Sequence, residues 1–271
     1  MNKHVCMTVS VFLLTLSLTG IAAEPQPLPD ANALPAQSPF VKDGKLDLDG
    51  AVKYFEDLYR STSSIAQVVM TVTKPRSQRT MGMKVWTQGQ DKSLILIQSP
   101  QREQGTATLK VDRNLWNFLP KIKRTIRIPP SMMLSSWMGS DFTNDDLVRE
   151  SSFSEDYFYK FLGPSQDPKG WRVRFDARPD MVGLWKRIDL ILSEDGTLPL
   201  EADYYNRKDQ LARTIVWSDV RLFGDKRVPA TMTLTPKDKK GYRTEMIYTT
   251  LEFDVDVPDN MFSLSQLERL R

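Results

Sequence analysis

The sequence predicts a mainly β fold, built on one large antiparallel sheet of about ten or eleven strands, with short α-helices on its concave face. Three observations predict it. From Ser64 to Phe253 the chain is a succession of short runs, many with apolar residues at every second position. The connections between them are of hairpin length and rich in Gly, Pro, Asn and Asp. Only two stretches, near Ala51–Tyr59 and 131–148, carry helical spacing before the last ten residues. A sheet of this size usually curls or closes.

The chain opens with a short basic segment holding Lys3 and His4. An apolar run from Val9 to Leu18 and the small-x-small sequence Gly20-Ile21-Ala22 follow. This reads as a secretory signal peptide over residues 1–23, too short to span a bilayer. It holds the single Cys (Cys6) and the single His (His4). The exported chain is expected in the periplasm as a soluble protein with neither residue type. Residues 24–45, with prolines at 25, 27, 29, 35 and 39, read as an extended segment ahead of the domain at 46–271. About 250 residues remain, enough for one sizeable core. The 37 Lys+Arg and 34 Asp+Glu leave a net charge of +3 and no block of like charges, so no nucleic-acid footprint shows. No later stretch reaches transmembrane length, and mean hydropathy is −0.40.

Asp47 or Asp49 can cap a helix running to about Arg60, with Val52, Phe55, Leu58 and Tyr59 on one face and Lys53, Glu56 and Asp57 turned away. Strands are expected at 65–73, 80–87, 93–98, 106–111, 115–119 and 121–128. The Pro129-Pro130 pair and a Met-rich helix–loop–helix over 131–148 follow. Strands resume at 157–162, 171–177, 186–192, 199–206, 211–223, 227–235 and 242–253, and a final helix covers 263–270. In 211–223 both faces hold apolar residues, Ile215 and Trp217 against Val216 and Val220. One face can line a cavity while the other meets a covering element.

Without His or Cys there is no Ser-His-Asp triad, no thiol nucleophile and no His-bound zinc, and no catalytic residue, metal site or cofactor is expected. The densest carboxylate group is Asp141, Asp145 and Asp146. Thr143 to Asp146 also fits a capping box, which is the stronger reading. Met132, Met133, Trp137 and Met138 suit a flap over an apolar ligand.

The strings LWNFLPKIKRTIRIPP from Leu115 and SSWMGSDFTNDDL, with YYNRKDQLARTIVWSDV from Tyr204 and the VPDNMFSLSQL ending at Leu267, resemble the outer-membrane lipoprotein-sorting (LolA-like) family. The resemblance spans roughly Leu46 to Leu270. It implies a LolA/LolB-like half-open β-barrel closed on one side by helices, its apolar face holding acyl chains of a lipoprotein or lipid. It implies cargo received from an inner-membrane transporter and passed toward the outer membrane. By this likeness the cavity lining would include Trp86, Leu96, Trp116, Phe118, Ile126, Met132, Met133 and Trp137, with Gly139, Ser140, Asp141, Phe142, Thr143 and Asp146 as a structural motif. An arginine that contacts a helix and helps close the cavity is also implied, and several arginines qualify. A lipid-responsive periplasmic sensor on the same fold is the alternative to a carrier. An enzyme using the carboxylates near Asp141 is the third reading.

Overall fold

A computed structural model of the protein describes residues 38–149, 153–181 and 183–269. The signal peptide and most of the proline-rich segment lie outside the described residues. Residues 38–45 do not run as an extended tether. Val41–Lys42 (β1) and Lys45–Leu46 (β2) pair as a hairpin, and Phe40 sits 5.3 Å from the Tyr54 ring. Phe40 and Leu46 are too isolated in sequence to show periodicity.

Helix α1 spans Leu48–Asp57, and its N-cap Asp47 accepts a hydrogen bond from the Gly50 N–H at 3.2 Å. Val52 and Leu58 are buried and Lys53 is exposed, as the spacing requires. Glu56 departs from the pattern: it is buried rather than turned to water.

The main sheet comprises β3 (Ser63–Lys74), β4 (Ser77–Gln88), β5 (Lys92–Ser99), β6 (Ala107–Val111), β7 (Asn114–Leu119), β8 (Arg124–Arg127), β9 (Tyr157–Gln166), β10 (Lys169–Ala177), β11 (Trp185–Leu192), β12 (Pro199–Asn206), β13 (Leu211–Phe223), β14 (Lys226–Pro236) and β15 (Arg243–Phe253). It has 13 strands rather than ten or eleven, because the short segments from β6 to β8 all extend the ladder. The order is β8-β7-β6-β5-β4-β3-β15-β14-β13-β12-β11-β10-β9, antiparallel throughout. The sheet is not closed: β8 and β9 each have one neighbour among the described strands. Two consecutive meanders therefore meet at one seam, where β3 pairs with β15 from Ser64↔Phe253 to Thr73↔Arg243.

Between the meanders lie a short 3₁₀ turn at Pro130–Met132, helix α2 (Asn144–Arg149) and helix α3 (Phe153–Asp156). The chain ends in a 3₁₀ turn at Asp259–Phe262 and helix α4 (Leu264–Arg269), whose first turn Ser263 caps through the Gln266 N–H at 3.1 Å.

Both faces of the sheet carry a core. Phe175, Ile188, Leu190, Ala202, Ile215 and Leu234 pack with Ala51 and Val52 of α1. Val68, Met70, Met81, Met83 and Ile97 pack on the same face with Leu58. On the opposite face Trp86, Leu94, Leu96, Ala107, Leu109 and Phe118 are covered by Val257, Phe262 and Leu267. That cover stops short of β13. Val216, on this side of β13, is 41% exposed.

Candidate functional site: a cavity on the helix-covered face

Side chains at alternate positions of a strand share a face, and this rule assembles the site. Ser64 and Ala66 of β3, Val85 and Thr87 of β4, and Ser93 and Ile95 of β5 form one wall. Met246 and Tyr248 of β15, Met232 of β14, and Ile215 and Trp217 of β13 continue it across the seam. Tyr204, Ile188 and Tyr157 carry it to β9. Phe55 and Glu56 of α1 and Tyr59 just after it, with Trp137, Phe142, Asp146 and Leu147, close over it. The space between them is about 170 Å³ and partly open to solvent. Cavities of roughly 150 Å³ with apolar walls hold a benzene-sized ligand.

The polar groups at this cavity are mostly tied down. Tyr59 donates to the Pro229 carbonyl at 2.8 Å and stacks on Tyr248 at 4.7 Å. Burial raises its phenol pKa well above the usual value, with Tyr248 adding to the shift. Ser64 and Thr87 share a hydrogen bond of 2.6 Å. Glu56 accepts from the Ser154 N–H at 2.6 Å and the Ser154 hydroxyl at 2.9 Å, which fixes α3 against α1. Burial pushes the Glu56 carboxyl up, and the Ser154 bonds offset that only in part. Nothing in the spacing of α1 singles out Glu56; only its partner in a distant element explains its burial.

Arg213 is the most elaborately held residue of the site. Its Nη1 and Nη2 each donate to Asp146 at 2.7 Å, a bidentate pair. The guanidinium lies 4.2 Å from the Trp185 ring and 4.3 Å from the Tyr204 ring. Trp185 also donates its Nε1–H to Asp146 at 3.2 Å. Asp146 in turn accepts from the Thr143 N–H at 2.8 Å, while the Asp146 N–H donates to Thr143 Oγ1 at 3.2 Å. This reciprocal capping box starts α2. Burial works to raise the Asp146 carboxyl, but the Arg213 charge and its hydrogen bonds prevail and hold it below the usual carboxylate range. Burial pushes the Tyr204 phenol up to about 12. Strand β13 thereby grips the helix that closes the cavity.

The preceding loop is braced as firmly. Trp137 is buried and donates to Thr108 at 3.1 Å. Ser136 and Thr143 form an isolated bridge, and the Trp137 N–H donates to the Phe142 carbonyl at 2.8 Å. Ser140 donates to the Trp137 carbonyl at 2.7 Å, and Asp141 accepts from the Thr244 hydroxyl at 2.8 Å. Gly139 holds φ +69°, which a side chain would strain. The 137–146 segment thus fastens the cover to β6, β13 and β15. No group of His, Cys, Asp and Glu among the described residues could hold a metal ion.

Three solved structures share this architecture. A DUF1329 family protein from Desulfovibrio piger superposes with a TM-score of 0.72 at 22% identity, covering 81% of this chain and 98% of its own. A putative outer membrane lipoprotein-sorting protein domain from Vibrio parahaemolyticus gives 0.70 at 22%, covering 80% and 97%. A LolA superfamily protein from Nitrosomonas europaea gives 0.69 at 19%, covering 80% and 98%. No curated protein matches the sequence at a significant level. A family model described as that of an uncharacterized protein matches residues 89–269. The chain belongs to the family of that model, and its fold is LolA-like.

Within this LolA-like fold the residues expected to line the cavity fall in three places. Trp137 lines it, as do Phe142 and Asp146 of the motif. Trp86, Leu96, Trp116 and Phe118 lie on the other face of the sheet, in the cluster under α4. The reason is register: Trp86 sits between the cavity residues Val85 and Thr87, and Leu96 next to Ile95. A one-residue step along a strand reverses the face. Ile126 and Met132 are exposed, and Met133 packs with Leu115, Ile128 and Val148 beside α2. The cavity residues that the sequence reading passed over, among them Val85, Ile95, Tyr204 and Arg213, alternate with the expected ones or sit on strands given no role. Only the alternation itself could have revealed them. Among the described residues no helix is long and apolar enough to cross a membrane.

Proposed function

We propose that this protein is a periplasmic carrier. It holds acyl chains of a lipoprotein or lipid between the sheet and the α1–α2 cover, taking them from an inner-membrane transporter and passing them toward the outer membrane. The observation that carries the reading is the cavity. It is walled by aliphatic and aromatic side chains from both meanders and closed by a segment held by the buried Arg213–Asp146 ion pair and by hydrogen bonds to β6 and β15. The lipoprotein-sorting relative and the LolA superfamily relative support the class of cargo.

In this reading each methylene that enters contributes about 0.8 kcal/mol. The space of about 170 Å³ takes only part of a long acyl chain, so fuller loading requires the cover to move. Arg213 then serves as the residue that holds the cavity shut by gripping α2. Phe142 and Leu147 line the closed cavity beside it, and outward movement of the cover exposes apolar walls that cargo would shield.

The test is native mass spectrometry of the protein purified from periplasm without detergent, with the released mass identified. A near-stoichiometric lipid or acylated peptide supports the carrier. The load should fall in Met232→Asp and Met246→Asp, which place a carboxylate in the cavity wall at half-buried positions. A clean apo mass that takes up no offered lipid would overturn the carrier in favour of a protein-interaction module on the same fold.

A further inference from the structure

The string LPKIKRTIRIPPSMML from Leu119 to Leu134 carries part of the family resemblance, yet it contributes nothing to the cavity. The fold sets it at the β8 edge of the sheet. Leu119 ends β7, residues 120–123 make the turn, β8 follows, and Pro129 leads into the 3₁₀ turn. Four of its apolar side chains stand in water: Ile122 is 57% exposed, Ile126 43%, Met132 48% and Leu134 52%. Lys121, Lys123, Arg124 and Arg127 lie among them, all exposed. Residues 119–134 hold no Asp or Glu. None of the four cations forms an ion pair with a described residue. Arg127 donates to Asn114, and Thr125 donates to the Glu268 carboxylate.

Edge strands commonly carry Lys and Pro, which discourage pairing with another chain. That accounts for the charges and for Pro129-Pro130. It does not account for four large aliphatic side chains left bare at the same edge, which an edge protected against association would not display. Their chemistry narrows the partner. Protein interfaces concentrate Trp, Tyr and acid–base complementarity, and this segment has no aromatic residue and no acid. Lys and Arg interleaved with Ile, Leu and Met is the composition that rests at the boundary between anionic headgroups and acyl chains.

We propose that the β7–β8 hairpin and the following Pro130–Leu134 segment dock this protein on an anionic phospholipid surface. The cations meet headgroup phosphates, and Ile122, Ile126, Met132 and Leu134 enter the headgroup–acyl boundary. The surface adjoins the cavity cover. Asn144 at the start of α2 donates to the Met132 carbonyl at 3.0 Å, and the Asp145 N–H donates to the Met133 carbonyl at 2.8 Å. Docking would therefore bring the cover of the cavity to the membrane. The inference holds whether or not the cavity carries cargo.

The experiment is co-sedimentation of the purified protein with phosphatidylethanolamine vesicles containing phosphatidylglycerol, against phosphatidylcholine vesicles. Preferential binding to the anionic vesicles that weakens with salt is expected. The variant K123S/R124S removes two cations worth about fivefold each, so binding should fall on the order of 25-fold. The variant I122S/I126S should also bind less, while retaining the salt dependence. All four positions are exposed, so unchanged thermal unfolding and an unchanged lipid load in the cavity are expected, and they separate this failure from failure of the carrier reading. Equal binding to both vesicle types, or wild-type binding by both variants, would overturn the proposal. So would binding only to native membranes that is abolished by protease treatment of those membranes, which would assign the surface to a protein receptor.

Discussion

Arg213 and Asp146 form a bidentate ion pair across 67 positions of chain, with the guanidinium flanked by Trp185 and Tyr204. The arrangement uses what is particular to arginine: a planar fork for the carboxylate and flat faces for the rings. Removing one partner strands a buried charge. Arg213→Ala should cost about 3–5 kcal/mol in urea unfolding. Arg213→Lys should recover only a small part, because a single ammonium cannot bond both oxygens and stack at once. The double variant Arg213→Met/Asp146→Leu should be more stable than either single variant, less about 1 kcal/mol for the lost cap of α2. Equal stability of the Lys variant and wild type would show that the fork geometry is not what holds the helix.

Two of the carboxylates at the cavity respond to pH in opposite senses. Asp146 is held below its ordinary value, so its contribution is complete above an unfolded pKa of about 3.9 and is lost as pH falls through the depressed folded value. Glu56 is raised by burial, so the folded state binds its proton more tightly than the unfolded chain does. Between its unfolded and folded pKa, stability rises as pH falls. Chemical denaturation from pH ~7 to ~4.5 should therefore show wild type gaining on Glu56→Gln, and a pH-independent difference would refute this assignment.

Gly170 is required by close approach. A Cβ there would lie 1.9 Å from the Leu192 carbonyl oxygen on the neighbouring strand β11. Backbone on backbone leaves no flexible group to yield. Gly170→Ala should destabilise by about 3 kcal/mol, at the upper end for overpacking. Ala at the open positive-φ Gly89 should cost less, and thermal unfolding of the pair makes the comparison.

Adjacent residues of β13 give a matched test of which face is the cavity. Ile215 is buried in the wall and Val216 is 41% exposed on the other side. Val216→Asp should change stability by no more than ~0.5 kcal/mol and leave lipid load intact. Ile215→Asp should abolish the load and lower stability by several kcal/mol, on the order expected for an unpaired buried charge. Loss of load in the Val216 variant would place the cavity on the wrong face.

These residues also show what the sequence could and could not disclose. Alternation in 171–177 and 186–192 is legible because one face is apolar and the other charged. The strands at β3–β5 bury both faces, so Val85 and Trp86 look equally suited to a cavity. Which of them faces it depends on where α1 and α4 pack, which no local pattern encodes. The capping box from Thr143 to Asp146 is local and readable. Its pairing with Arg213 is not, because the arginine belongs to a strand in the other meander. Glu56 looks like a solvent-facing helix residue until Ser154 is brought beside it.

The β3–β15 seam has a kinetic consequence. Every other pairing in the sheet joins strands adjacent in sequence, so each meander can assemble by short loop closures. Pairing Ser64 with Phe253 must close nearly the whole domain, and contacts of such sequence separation are made slowly. Since the cavity draws walls from both meanders, it comes into being only at that closure. Until then each half carries an uncovered apolar flank, so yield on refolding should decline with protein concentration. Any ligand that stabilises the finished cavity should act on unfolding rather than on folding.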